Sequence, residues 1–334
     1  MLNLFNHYNS SSFLDELKNI EDSTRRSLNV IRSLRITPSK DGTYTVKLGT
    51  KTFPVNEFAL TSLEERATIG GQALSKLRPE QYSRIINSCL RTVSSKQKSI
   101  VVLYNDEVLA FLSDGYKVLP IDELFSLVDQ ELLSKKGKFV LGTADAYHAE
   151  ARYNLPENIC DNFRDVVPQG YIPTVLVQTS NVGLSGANIF PELTHKGNQI
   201  PVGAPLCLQH KGEASIEKFK ENINQVYSLF HKSLHHLSEL KDKTIKYPVS
   251  TLISVCKKNH IPKKYIAYAV EYFEDLIDED DEVTAYDVYM AITEVIFMAE
   301  SEGRTNKQVF ALKENVARCL FVNWSEFDLP KAVI

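Results

Sequence analysis

At about Glu213 the apolar residues of this chain change their period. Before that point, short stretches alternate apolar and polar positions. After it, Ile216, Phe219, Ile223, Val226, Phe230, Leu234 and Leu237 recur three or four residues apart. A period of two marks a half-buried strand, and a period near 3.6 marks one face of a helix. A chain that switches from one to the other cannot be a helical bundle or a closed barrel throughout. The fold class predicted is α+β: a mixed, mostly antiparallel sheet with flanking helices and an all-helical C-terminal part. The boundaries predicted are an N-terminal helix and β-hairpin over 1–54, an α+β core over 55–212, and a helical part over 213–334 packed on that core. With 334 residues, 43% of them hydrophobic, such a core forms without disulfide or metal staples.

Within the first part, Phe13, Leu14, Leu17, Ile20, Leu28, Ile31 and Leu34 predict a helix over 12–34. TYTVKLGTKTFPV alternates around Gly49-Thr50 and predicts a hairpin, with Gly49 suited to the first position of a type II′ turn. Residues 57–94 return to a helical pattern interrupted at Gly70-Gly71, and Pro79 suits a helix start. SIVVLYNDEVLAFLSDGYKVLP predicts a strand, a tight turn at Asn105-Asp106, a second strand, a turn at Asp114-Gly115 and a short third strand. A helix over Ile121–Leu133 follows, then strands in KFVLGTA, AYHAEARYNLP and APLCLQHKG. Beyond the long helix, three or four more helices are broken near Pro248, Pro262 and the acidic run from Glu274 to Glu282. Thr284 with Asp287 makes a capping-box-like start, and Val288, Ile292, Val295 and Ile296 form the buried stripe behind it.

YIPTVLVQTSNVGLSGANIFP, Tyr171 to Pro191, stands out from the rest. It predicts a strand, a turn rich in Ser, Asn and Gly, and a second strand. Ser180, Asn181, Gly183, Ser185 and Gly186 form a candidate binding loop, because such turns can present several backbone N–H groups to an anion. The ordinary alternative is a structural turn whose glycines permit positive φ. Ser185 in GLSGA is not a nucleophile elbow: Gly186 comes one residue too early, and the following segment is extended rather than helical. Neither GxxxxGK[ST] nor a strand–GxGxxG–helix unit is present, and no motif predicts a cofactor.

His231 and His235 form an i,i+4 pair, but Lys232 stands where HExxH has its glutamate, so a polar helix face is the ordinary reading. His148 and Glu150 point to the same face of a strand, and Cys89, Cys160, Cys207, Cys256 and Cys319 are dispersed without CxxC spacing. That predicts reduced thiols in an intracellular protein, and a cytoplasmic location. The N-terminal MLNLFNHYNSSSF predicts no signal peptide, and no apolar run has the ~18 residues of a membrane span. The net charge of -4 excludes a chain that is basic all over, though not a local basic patch. Arg78, Arg84, Arg91, Lys96 and Lys98 supply one such patch, with Tyr82 among them. Lys257, Lys258, Lys263 and Lys264 form another near Tyr265 and Tyr268.

Four blocks in order, ALTSLEERATIGGQALSKL, AFLSDGYKVLPIDELFSLV, the Ser180-Asn181-x-Gly183 loop with Cys207 downstream, and TAYDVYMAITE, resemble the phage- and plasmid-borne family called domain of unknown function 932. The resemblance spans roughly residues 55–320. Gly115 stands where that family often has an arginine. Leu208-Gln209, followed by Lys211-Gly212, replaces its common Asn-Gly. The resemblance implies a mobile-element setting: DNA replication or recombination, or interference with host defence. The expectation that follows is a non-enzymatic, homo-oligomeric protein that binds or anneals single-stranded DNA. Arg78, Arg84, Arg91, Lys96, Lys98 and Lys211 would grip phosphates, Tyr82 or Tyr116 would stack on bases, and the Ser180–Gly186 loop would donate backbone N–H groups. The alternative is a protein-interaction module that inhibits a host defence complex through the acidic run. A metal-dependent enzyme using the histidines is the third reading.

Overall fold

The computed structural model describes residues 5–277, 282–304 and 306–330. The chain begins with β1 (Phe5–His7), α1 (Ser10–Asp22), β2 (Thr24–Val30), β3 (Ile36–Pro38), β4 (Tyr44–Leu48) and β5 (Lys51–Val55). Helices α2 (Glu57–Arg66) and α3 (Pro79–Thr92) precede β6 (Lys98–Tyr104), β7 (Glu107–Ser113) and α4 (Ile121–Ser134). Then come β8 (Lys138–Ala144), β9 (His148–Asn154), β10 (Ile172–Ser180), β11 (Ala187–His195), β12 (Asn198–Pro201) and β13 (Leu206–Leu208). Five helices close the chain: α5 (Ile216–Glu239), α6 (Pro248–Lys258), α7 (Lys263–Leu276), α8 (Ala285–Ser301) and α9 (Asn306–Cys319). The class is α+β, as the change of period requires.

The strands form two sheets. One has the order β1-β8-β9-β10-β11-β12, with β13 also paired to β11. The other has the order β2-β6-β7-β5-β4-β3 and is antiparallel except at the single parallel pair Val55↔Val108. Its two edge strands, β2 and β3, are joined by only residues 31–35, so the sheet curls round α3. Asn87 on α3 holds the β3 edge: its side chain accepts from the Ile36 N–H (2.9 Å) and donates to the Ile36 carbonyl (2.7 Å). Residues 24–113 make up this smaller lobe, and the first sheet with α1 and α4–α9 makes up the larger one.

Register explains the larger core. In β10–β11, Val177 lies opposite Ile189 and Gln178 opposite Asn188, and β9 adds Ala151 and Glu150 to those two rows. One face therefore carries Ala149, Ala151, Tyr153, Val175, Val177, Ile189 and Leu193, all buried against Phe13, Leu17, Phe125, Val128 and the long helix α5. Every member of the predicted α5 stripe from Phe219 to Leu237 is buried there. Gly142 in β8 sits beneath the Phe13 ring: a Cβ at that position would lie 2.5 Å from Phe13 Cδ2. The stripe of α8 extends the same core, and its predicted capping box is formed by Thr284 and Asp287. Among the described residues no helix is long and apolar enough to cross a membrane.

Three local expectations fail for physical reasons. The helix predicted over 12–34 stops at Asp22, and residues 24–30 pair with β6 along seven positions, Thr24↔Tyr104 to Val30↔Lys98. Leu28, Ile31 and Leu34 mimic helical spacing, but Leu28 is an exposed strand residue, while Ile31 and Leu34 anchor a short 3-10 turn. The third strand predicted after Gly115 is absent; that segment is held by a bond from the Lys117 N–H to the His210 carbonyl. Residues 1–54 do not form a unit of their own, since β1 joins the larger sheet and β2–β5 the smaller. The predicted tight turns are present: Asn105 and Asp106 both have positive φ (46° and 65°), and Gly49 has φ +63° while Thr50 does not share it. Much of the acidic run, Asp278–Asp281, lies outside the described residues.

Replacing Asn87 by Ala leaves both Ile36 backbone groups without their partner. The expected loss is about 1–3 kcal/mol of unfolding free energy, read from urea denaturation; an unchanged midpoint would show that β3 is held by other means.

Candidate functional site

Ser180 ends β10, and its hydroxyl shapes the turn that follows. It donates to the Tyr147 carbonyl (2.9 Å) and accepts from the N–H groups of Val182 (3.2 Å) and Leu184 (3.0 Å). The Asn181 N–H also donates to the Tyr147 carbonyl (3.2 Å), and the Tyr116 hydroxyl donates to the Ser180 carbonyl (3.0 Å). Gly183 takes φ +80°, a conformation that strains any residue with a Cβ. Val182 and Leu184 are thereby driven against Val102, Ala110 and Leu112 on the outer face of the smaller sheet. Two of the N–H groups expected to face a ligand are therefore engaged by Ser180. The segment acts as a clasp between the lobes rather than an open anion nest.

Behind the clasp, the Tyr116 and His210 rings stack with centroids 4.6 Å apart and planes 8° from parallel. His210 Nδ1 lies 2.9 Å from the Lys117 carbonyl, which can only accept, so Nδ1 carries the proton. Nε2 then accepts from the Thr179 hydroxyl at 3.3 Å. Burial holds the His210 imidazole below its ordinary value of 6.5, partly offset by the bond to the Lys117 carbonyl. Burial also raises the Tyr116 hydroxyl far above its usual range, with Arg26 opposing the rise.

The clasp also roofs a cleft of about 850 Å³ between the lobes. Its walls are α2 (Phe58, Ser62, Arg66), the polar face of β9–β11 (His148, Gln178, Asn188) and α9 (Phe310, Glu314), with Lys211 at its edge. A smaller cavity of about 240 Å³ adjoins it, sharing Gln178 and Phe310 and adding Glu150, Arg152, Arg304 and Lys313. This wall is the second face of the larger sheet. A polar sheet face ordinarily meets water, yet Gln178 and Asn188 are only 3% and 2% exposed. Deeper under α9, Lys313 lies 3.5 Å from both Glu192 and Glu300 and donates to the Gln199 side chain, with Glu192 wholly buried. His148 and Glu150 do share one face, as their spacing predicts, and that face is the cleft wall.

Charge is segregated between the lobes. Residues 24–113 hold 14 Lys and Arg against 7 Asp and Glu, a net of +7, which leaves −11 for the rest of a chain whose net is -4. The α3 C-terminus lies beside the 3-10 turn at 31–33, and the Ile31 N–H donates to the Gln97 carbonyl. Arg32, Arg91, Lys96 and Lys98 are thus gathered at one end of the lobe, with Arg84 two turns up the helix. All five are exposed, and among the described residues none has an acidic partner. Arg32 was missed because it falls in the stretch read as helix; a running count of charge along the chain would have found it.

The predicted site residues therefore separate. Arg84, Arg91, Lys96 and Lys98 share the basic end. Arg78 is exposed at the opposite end of α3, about 20 Å away at 1.5 Å per residue. Tyr82 is a correction: it is 5% exposed, packs against Tyr44 and donates its hydroxyl to Glu64 (2.8 Å), so no ring face is open to a base. Tyr116, Lys211 and the Ser180–Gly186 loop belong to the cleft. His231 meets the Phe163 ring, while His235 faces Glu239, and no three His, Cys, Asp or Glu of the described residues converge on a metal position. No family model matches the sequence, and searches of curated proteins and of solved structures give no match either.

Ser180→Ala removes the acceptor for two N–H groups, and the expected cost is about 1–3 kcal/mol in urea unfolding; a silent substitution would remove the hydroxyl from the account of the clasp. Acid sensitivity should follow His210. Its folded-state value lies below the ordinary 6.5, so on acidification the unfolded chain takes up the proton first. Stability present above about pH 6.5 is then lost as the pH falls through that value. The thermal midpoint should drop further between roughly pH 7.5 and 5.5 in the parent protein than in His210→Gln; equal drops would rule out this histidine.

Proposed function

We infer that the protein binds single-stranded nucleic acid without catalysing a reaction on it. The smaller lobe would hold the sugar–phosphate backbone. The observation carrying this reading is the cluster of Arg32, Arg84, Arg91, Lys96 and Lys98, exposed and without acidic partners among the described residues, on a lobe of net charge +7. Desolvated or neutralised cations would serve the fold; free, solvated ones attract a polyanion and release its counterions. A single strand is favoured over a duplex by the neighbouring sheet surface. Leu28, 56% exposed, stands opposite Ile100, and Lys98 stands opposite Val30 in the same row of β2–β6. An exposed leucine beside a half-buried isoleucine and a cation suits unstacked bases, which a duplex keeps inside. The resemblance to a mobile-element family agrees with such a role in DNA metabolism.

The test is fluorescence anisotropy with a labelled oligonucleotide across a salt series. For single strands the logarithmic slope is about −0.7 per neutralised phosphate, so five contacts predict about −3.5. Arg91→Ala with Lys98→Ala should make the slope shallower by about 1.4 without shifting the thermal midpoint. A flat salt response, or no binding at low salt, would overturn the reading.

A further inference from the structure

We propose that the cleft between the lobes is a binding site for one nucleoside unit, separate from the basic face. The polar wall carries the case. Gln178 is almost wholly buried, yet its side chain makes no hydrogen bond among the described residues, and it borders both cavities. Directly opposite it in register, Asn188 donates to the Gly186 carbonyl (3.0 Å), which leaves its own amide oxygen without a donor. Ser185 Oγ, His148 Nδ1 and Arg66 Nε in the same walls are fully buried with no partner among the described residues. Buried polar atoms cost free energy unless something satisfies them. Three such atoms, together with two carboxamides that line the cleft, mark a place shaped for a polar occupant.

The kind of occupant follows from which groups are open and which are engaged. Every acid of the large chamber is occupied: Glu65 by Arg66 (3.5 Å), Glu314 by Arg318, and Asp145 by the N–H groups of Tyr147 and His148. The open groups are mainly neutral donors and acceptors. Two adjacent carboxamides are the side chains that pair with the edge of a nucleobase. Flat apolar surface is supplied by Phe310, held edge-on to Phe190, and by Phe58, edge-on to Tyr147. Cleft size suits a ligand larger than a free base. An uncharged planar heterocycle bearing a sugar meets all of these conditions, whether it arrives as a free nucleoside or as one unit of a strand. Arg152, which has no ion pair among the described residues, lies in the adjoining cavity where a phosphate on that sugar would reach.

Isothermal titration with adenosine, guanosine, cytidine and thymidine, and with their 5′-monophosphates, tests the site on the intact chain. At least one should bind saturably at one per chain, and Gln178→Leu should weaken it about tenfold, the equivalent of 1.4 kcal/mol. Should that variant fail to fold, Ser185→Ala at the chamber wall replaces it and should weaken binding likewise. The two sources separate in a parallel titration with an oligonucleotide and its abasic counterpart. A base held within a strand gives a Gln178-dependent difference between them even where free nucleosides are silent. Arg91→Ala with Lys98→Ala should leave nucleoside affinity intact, so failure of the basic face and failure of the cleft are distinguishable. The proposal is overturned if no nucleoside or monophosphate binds and the abasic and normal strands bind alike, or if binding is the same in both cleft variants.

Discussion

The structure depends on one hairpin that is buried on both sides. Antiparallel strands usually pack one face and wet the other. β10 and β11 instead press Val175, Val177 and Ile189 into the main core while their polar row lies under α9 and the cleft. Their connecting turn is then pushed into the second sheet by Val182 and Leu184. Main core, cleft and lobe contact thus share a single pair of strands. The Ser180 hydroxyl closes the turn, so the fit between the lobes rests on a side chain that itself lies at the end of a core strand.

Much of this architecture was legible because the larger core obeys simple periods. Each member of the predicted α5 stripe from Phe219 to Leu237 is buried where its spacing places it. The parity of His148, Glu150, Gln178 and Asn188 could also be read, since alternation along a strand is geometric. Reading failed where spacing was ambiguous. Leu28, Ile31 and Leu34 fit a helix on paper, but pairing to β6 offered residues 24–30 a full ladder of hydrogen bonds. Tyr82 was misread for a different reason. It stands four and eight residues before Ile86 and Leu90, on the apolar side of α3, and that rhythm marks it as core. What covers the polar face could not be read at all. Phe310 and Lys313 come from α9, and only the folded path of α5–α8 brings them to β10 and β11.

Segregation of charge has its own physical logic. A chain with a net of -4 would repel a polyanion weakly at long range, but fields near a surface depend on local charge and are screened within about 10 Å at ordinary salt. The smaller lobe can therefore present a positive end while the larger one remains acidic. The cleft lies where these two environments meet. Most of its own charges are neutralised internally, so hydrogen bonding and shape govern what can enter it.

Lys313 and Glu192 have a consequence for how this sequence can change over time. Removing Lys313 would strand the wholly buried Glu192 carboxylate, at a cost of about 3–5 kcal/mol, whereas removing Glu192 leaves Lys313 paired with Glu300. Replacing both with apolar residues can be close to neutral. Among descendants of this chain, loss of Glu192 should therefore precede or accompany loss of Lys313. The intermediate that has lost Lys313 first would be unstable, so the pair imposes an order on change in sequence space as well as making a contact in the fold.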